Sequence, residues 1–440
     1  MIDRLLDAVR RRAEAGDALG RRGEHTAVAF ESGRLKSAGV IEEAGLNARV
    51  VQGGRVGVAG TTAGDVDALV TQALASAELG EVVELDFPTE VPLPRVPTHF
   101  ENAANAALAD LIGMGRLLVE WLAREGCQVN VALEREVSET AVGNTAGAEG
   151  GYRSTAVSVS AEVARVAGDD VLMVYDHLVA AELPSPEDLD ALVRSINTRL
   201  ERALTIVEPP EGSLPVVFTP AGLSAILLPL QQALSGKAVL QGISPLAGKT
   251  GERLFDAALS LTDDPLVPGR AASRPLDDEC VPSRTLPLIE RGVVRQFVYD
   301  LETAARARTG STGHGHRGTF GKPQAAYTNL MLGGGRGTGD GERGVLGGGL
   351  IDGITDGLVV DDLIGVGQGN VIGGAFSHPV ALAYRVERGE ITGRVKDAAV
   401  AGDVYELLKR IGGLGNDGRW VGSRWSPSVL LEGVSVARRR

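Results

Sequence analysis

Aromatic side chains make up only 4% of this 440-residue chain, so its core has to rest on Val, Leu, Ile and Ala. Cysteine is almost absent. Cys127 and Cys280 lie too far apart to form a motif, which excludes a disulfide framework and a paired-cysteine metal knuckle. Two free thiols fit a reducing compartment, and a cytoplasmic location is the expectation. No run approaches the roughly 18 apolar residues of a membrane-spanning helix. Charge begins at the third residue, against the apolar stretch expected of a signal peptide. Basic clusters are equally few. Arg10-Arg11-Arg12 belongs to an amphipathic helix and Arg438-Arg439-Arg440 reads as a solvated tail. The net charge of −13 argues against a phosphate-binding footprint and against direct action on DNA.

Histidine is the next shortage, and it bears on the chemistry. The six are His25, His99, His177, His314, His316 and His378. A hydrolytic zinc site needs three protein ligands, usually two from one short motif, and an open position for water. No His-Glu pair with a second histidine four or five residues on is present. His314-Gly315-His316 is the sole close pair, and on a strand both side chains share one face. Two ligands permit only weak metal binding, so a polar cleft or loop surface without metal is the better reading. A Gly-x-Ser-x-Gly elbow is missing too. Gly248-Lys249-Thr250 resembles a phosphate loop, but five residues separate it from Gly242, and one of them, Pro245, has no N–H to donate. Asp263-Asp264 and Asp277-Asp278-Glu279 read as turn-capping, solvent-exposed acids, since adjacent carboxylates splay apart.

What the chain has in abundance is glycine, 59 residues, nearly double the usual share. Such a chain makes many tight turns. Apolar spacing predicts a helix from Ile2 to Ala13, then strands at Thr26–Phe30, Ala48–Gln52 and Arg55–Ala59, the last two joined at Gly53-Gly54 as a hairpin. Helices come next at about 65–77 and 103–125, with an extended, proline-punctuated connector over 85–97 between them. Strands around Val129–Leu133 and Val157–Ala161 flank a turn over 143–151. A helix over 187–203 is capped by Ser185. Pro209-Pro210-Glu211-Gly212 then breaks the chain. The expected domains are 1–208, with helices and antiparallel strands, and 209–440, glycine-rich and largely antiparallel β with a few helices. In that second part a helix is expected near 403–411 and a strand at 428–434, and glycine is densest over 332–349. The fold class is α+β, because no regular βαβ alternation appears.

Several segments of the second half stand in the order found in one family. They are Gly242-Ile243-Ser244, Gly248-Lys249-Thr250-Gly251-Glu252, Asp263-Asp264-Pro265, Asp277-Asp278-Glu279-Cys280-Val281-Pro282, Leu288-Ile289-Glu290-Arg291-Gly292, Asp300, Thr303-Ala304, and Ser311-Thr312-Gly313 leading to Arg317. Together they resemble the C-terminal half of TldD/PmbA proteins, and Ser426-Pro427-Ser428-Val429-Leu430-Leu431 looks like the ending of the PmbA (TldE) branch. Arg49-Val50 and Gly53-Gly54-Arg55-Val56-Gly57 fit that family's N-terminal domain. Cys280 departs from the pattern, standing where the family usually has glycine.

The resemblance implies that active members hold zinc through His-Glu-x-x-x-His on a helix and a cysteine near the C-terminus. Counted back from Gly242, those motif positions fall at Leu227, Leu228 and Gln232, and no cysteine comes after Cys280. The resemblance therefore implies a non-catalytic subunit with no metal of its own. Its implied partner is a TldD-like zinc subunit in a heterodimer that hydrolyses unfolded or precursor peptides. Ser311, Thr312, Gly313, His314, His316 and Arg317 are the substrate-cleft candidates, with Arg317 placed to hold a peptide carboxylate or an internal acid. Two other readings stand beside it: a stand-alone peptide-binding or regulatory homodimer working by strand addition, and a repurposed site built from His314, His316 and Asp278.

Overall fold

In the computed structural model, which describes residues 2–90, 92–333 and 346–439, a six-stranded antiparallel sheet dominates the first half. Its strands are β1 (Ala15–Glu31), β2 (Arg34–Gln52), β3 (Arg55–Thr61), β4 (Cys127–Asn144), β5 (Glu149–Ala167) and β6 (Asp170–Ala180), in the order β3-β2-β1-β4-β5-β6. These strands run far beyond the short segments expected from alternation. The turn expected over 143–151 shrinks to the four residues between Asn144 and Glu149, where the Asn144 side chain accepts from the N–H groups of Ala146 and Ala148. Gly53 and Gly54 both take positive φ, 58° and 70°, and close the β2–β3 hairpin.

One face of this sheet carries two helical pads. Helix α1 (Ile2–Arg12) and helix α2 (Val66–Glu78) bury Leu5, Leu6, Val9, Leu69 and Val70 against Ala18, Leu46, Ala48 and Val50. Asp65 caps α2 by accepting from the Ala68 N–H. The helix expected over 103–125 divides into α3 (Glu101–Ala104) and α4 (Leu108–Leu122). Asp110 accepts from the Ala107 N–H and so starts α4 as a separate helix. Helix α5 (Pro186–Ala203) opens with a reciprocal Ser185–Asp188 cap.

The second half holds an eight-stranded sheet with the strands 212–218, 356–363, 375–387 and 429–438 at its centre. Most of its pairings are antiparallel, with parallel exceptions such as 356–363 beside 212–218. Alternation along its strands sends side chains to two cores. Val217, Val359 and Tyr384 pack toward α5 and the first sheet. Val216, Phe218, Leu358 and Val360 pack toward helix α6 (Ser224–Ala233) and a small sheet beyond it. The helix expected near 403–411 is a single turn, Val404–Leu407, because the strand 411–414 takes over at once. Residues 334–345 of the glycine-rich stretch, and Arg440, lie outside the described residues. Among the described residues no helix is long and apolar enough to cross a membrane.

Candidate functional site

The strap from Ser311 to Arg317 crosses from the second half onto the first sheet, and most of it is buried. Thr312 exchanges hydrogen bonds with Tyr299: its N–H donates to the Tyr299 carbonyl at 3.1 Å, and its Oγ1 accepts from the Tyr299 N–H at 2.8 Å. Gly313 takes φ 78°, a conformation suited to glycine, beside the Pro282 carbonyl. His314 is buried, with Nδ1 3.0 Å from the Thr312 carbonyl and Nε2 3.0 Å from Asp263 Oδ2. Each ring nitrogen faces an acceptor, so neither has a lone pair directed at a metal. His316 is half-exposed and points elsewhere, with Nδ1 3.0 Å from Asp278 Oδ2. The shared face expected for the two histidines therefore does not bring them into one site. Of the six expected cleft residues, His316 alone is exposed and Ser311 is half-buried.

Arg317 is 2% exposed, and its guanidinium is engaged inside the chain. Nη1 donates to Asp17 Oδ1 at 2.8 Å and to Asn47 Oδ1 at 3.1 Å, while Nη2 donates to the Asp278 carbonyl at 3.0 Å. Of the two partners expected for it, the structure supplies an internal acid, held through one nitrogen rather than two. Asp17 is shared with Arg49, whose Nη1 donates to Glu279 Oε1 at 2.6 Å. Glu279 in turn accepts from the Leu301 N–H at 2.7 Å. This buried group ties β1 and β2 to the segment 277–279, to the strap and to the start of the helix 301–307. In the sequence Arg49 stands out only as part of the segment fitting the family's N-terminal domain, and no local pattern marks Asp17 or Asn47.

Burial pushes Glu279 up, to about 8, against the pull of Arg49 and with Asp277 and Asp300 adding to the rise. Burial likewise raises Asp277, to about 6, although Arg274 and three backbone N–H groups oppose it. For Asp278 the balance reverses. Burial would raise it, but His316, Arg21 and Arg274 hold it well below the usual carboxylate range. A third acid packed beside two others and held by fixed donors is a structural junction. Nothing here pairs a free acid with a free base. Cys280 adopts φ 65°, a left-handed conformation that glycine takes without the steric cost a side chain meets.

Helix α6 is where the resemblance puts the zinc motif. Leu227 is buried in the core, Leu228 is half-buried, and Gln232 is exposed. Leu228 and Pro229 wall a cavity of about 120 Å³ whose far side is Val366, Gln368, Phe376 and His378. The His378 ring stacks on Phe376 with centroids 5.9 Å apart, and burial lowers its pKa. Leucine offers no lone pair, and a lone amide is a poor zinc ligand. Among the described residues no group of three or more His, Cys, Asp and Glu is arranged to hold a metal ion. The residues present do not fit zinc.

Comparison with known proteins adds to this geometry. Residues 211–438 match the PmbA/TldA metallopeptidase C-terminal domain, and residues 16–77 match PmbA/TldA metallopeptidase domain 1. A metalloprotease of Methanothermobacter thermautotrophicus is 30% identical over 240 residues, which is 54% of this chain and 50% of that protein. Metalloprotease PmbA of Escherichia coli O157:H7 is 25% identical over 300 residues, 67% of this chain and 61% of that one. The chain thus spans about half the length of several curated relatives it matches. In fold it is similar to TldE from Thermococcus kodakarensis, with a TM-score of 0.89, 23% identity and 99% of both chains covered. It is also similar to a putative modulator of DNA gyrase from Thermotoga maritima, with a TM-score of 0.85, 24% identity and 99% of both chains covered.

Proposed function

The chain belongs to the TldD/PmbA family of metallopeptidases, and on that premise we propose that it is the non-catalytic, TldE-like subunit of a heterodimeric zinc peptidase. The observation that carries this reading is α6: Leu227, Leu228 and Gln232, where the resemblance puts the zinc motif, offer neither a hydrolytic zinc ligand nor a general base. Zinc, water and base then belong to a TldD-like partner with His-Glu-x-x-x-His. The partner hydrolyses the amide bond of unfolded or precursor peptides, and this chain completes the fold of the complex and walls its cleft. Within the wall, His316 and Ser311 are the strap residues with surface to offer a peptide, while Thr312, His314 and Arg317 keep the strap in shape.

Mixing the chain with a zinc-motif homologue encoded beside it tests the reading. Native mass measurement should show a complex holding both chains, with peptide cleavage that disappears when the partner's motif glutamate is replaced by glutamine. A mixture in which the two chains ignore each other would overturn it.

A further inference from the structure

The cavity of about 120 Å³ beside helix α6 has apolar walls on both sides: Leu228 and Pro229 of the helix face Val366, Val371 and Phe376. Its far wall is built largely by the glycine-rich loop 365–374. Gly365, Gly367 and Gly369 take φ of 77°, 95° and 77°, so every second residue there lacks a side chain that could plug the space. The loop is also tied to the helix. The Tyr405 hydroxyl donates to the Ile372 carbonyl at 2.7 Å and lies 3.4 Å from the Pro229 carbonyl. The two walls are thereby held apart at a set distance, and the cavity is formed before anything enters it.

Its rim says what it fits. Gln368, Asn370 and Ser377 are exposed around the mouth. Residues 375–378 pair with 400–403 on one side and, among the described residues, with no strand on the other. An open edge offers main-chain N–H and C=O groups to an extended chain, and a pocket beside it takes a side chain. That combination fits a peptide rather than a free apolar molecule, which would leave the edge unused. Apolar cavities of roughly 150 Å³ hold a benzene ring, and this smaller one suits a branched aliphatic side chain.

We propose that the cavity is a side-chain pocket for a leucine-sized residue of a peptide held in extended form along residues 375–378. The proposal rests on the subunit reading above for its class of ligand, a peptide, and it gives this chain a direct part in choosing one.

Methyl NMR titration of the purified chain without a partner, read at Leu228, Val366 and Val371, is the test. The probes are a glycine-serine peptide with one central leucine and its alanine counterpart. Saturable shifts are expected with the leucine peptide, and binding about tenfold weaker with alanine, which buries less apolar surface. Leu228→Phe fills the cavity from the helix and Ala375→Leu fills it from the rim, and each should bring the leucine peptide down to the level of the alanine one. Ala375 is exposed, so its variant tests the pocket even where Leu228→Phe disturbs the core. Native mass measurement of the same variants with the zinc-motif homologue should still show the complex. A failure to pair counts against the subunit reading, and a missing leucine preference counts against the pocket. Equal affinity of the parent chain for the two peptides, or a preference that survives both variants, would overturn the proposal.

Discussion

Arg317 shows most sharply what a buried charge does in this fold. Removing one partner of a buried ion network leaves another charge uncompensated, which costs about 3–5 kcal/mol. In Arg317→Ala, Asp17 keeps Arg49 while Asn47 Oδ1 and the Asp278 carbonyl lose their buried donor, so a smaller loss, about 1–3 kcal/mol, is expected in urea unfolding. A loss below about 1 kcal/mol, the scale of exposed pairs, would mean that water already reaches the network. Glu279 and Asp277 add a pH dependence. Burial lifts both above the usual carboxylate range, so the folded chain keeps protons that the unfolded chain has released. Their stabilisation is complete below the unfolded pKa, and it is lost as pH rises through about 6 for Asp277 and about 8 for Glu279. Stability should therefore fall between about pH 5 and about pH 9, and Glu279→Gln should fall less steeply. Superimposable pH profiles for the two proteins would contradict this assignment. Cys280 tests the backbone. At φ 65° a β-branched side chain is strained, so Cys280→Val should cost about 2 kcal/mol, within the range for such strain. Cys280→Gly should stay near neutral, since it trades strain relief against lost packing.

At the scale of elements, α6 is a packing helix. Leu227→Ala should cost about 2–5 kcal/mol, as buried leucines do, whereas Gln232→Ala on the exposed side should stay within about 0.5 kcal/mol. Equal, small effects in thermal unfolding would mean that α6 does not anchor the second core. Helices α1, α2 and α5 were legible because apolar residues recur at three and four and Asp65 and Ser185 stand at the starts of α2 and α5. The long strands were harder to read. Over 34–44 β2 is exposed on both faces, so it shows no alternation. The turn over 143–151 looked wide because the strand ends there hold Gly143, Gly150 and Gly151. Breaks such as that before Leu108 depend on a single cap, which periodicity does not register. The strap's residues could be singled out in the sequence, but not their direction. Asp17, Asn47 and Arg49 lie far away in the chain, and only the folded sheet brings them under Arg317.

The whole molecule is two large sheets and smaller ones, with helices between and outside them, joined by buried charges. Among the described residues no group of three or more His, Cys, Asp and Glu is arranged to hold a metal ion, and under the proposed function catalysis belongs to a companion. The direct measurement is the metal content and peptidase activity of this chain purified by itself after equilibration with zinc and removal of the free ion. The account predicts far less than one zinc per chain and no cleavage of an unfolded peptide. One zinc retained per chain, with turnover abolished by a chelator and restored by zinc, would contradict it.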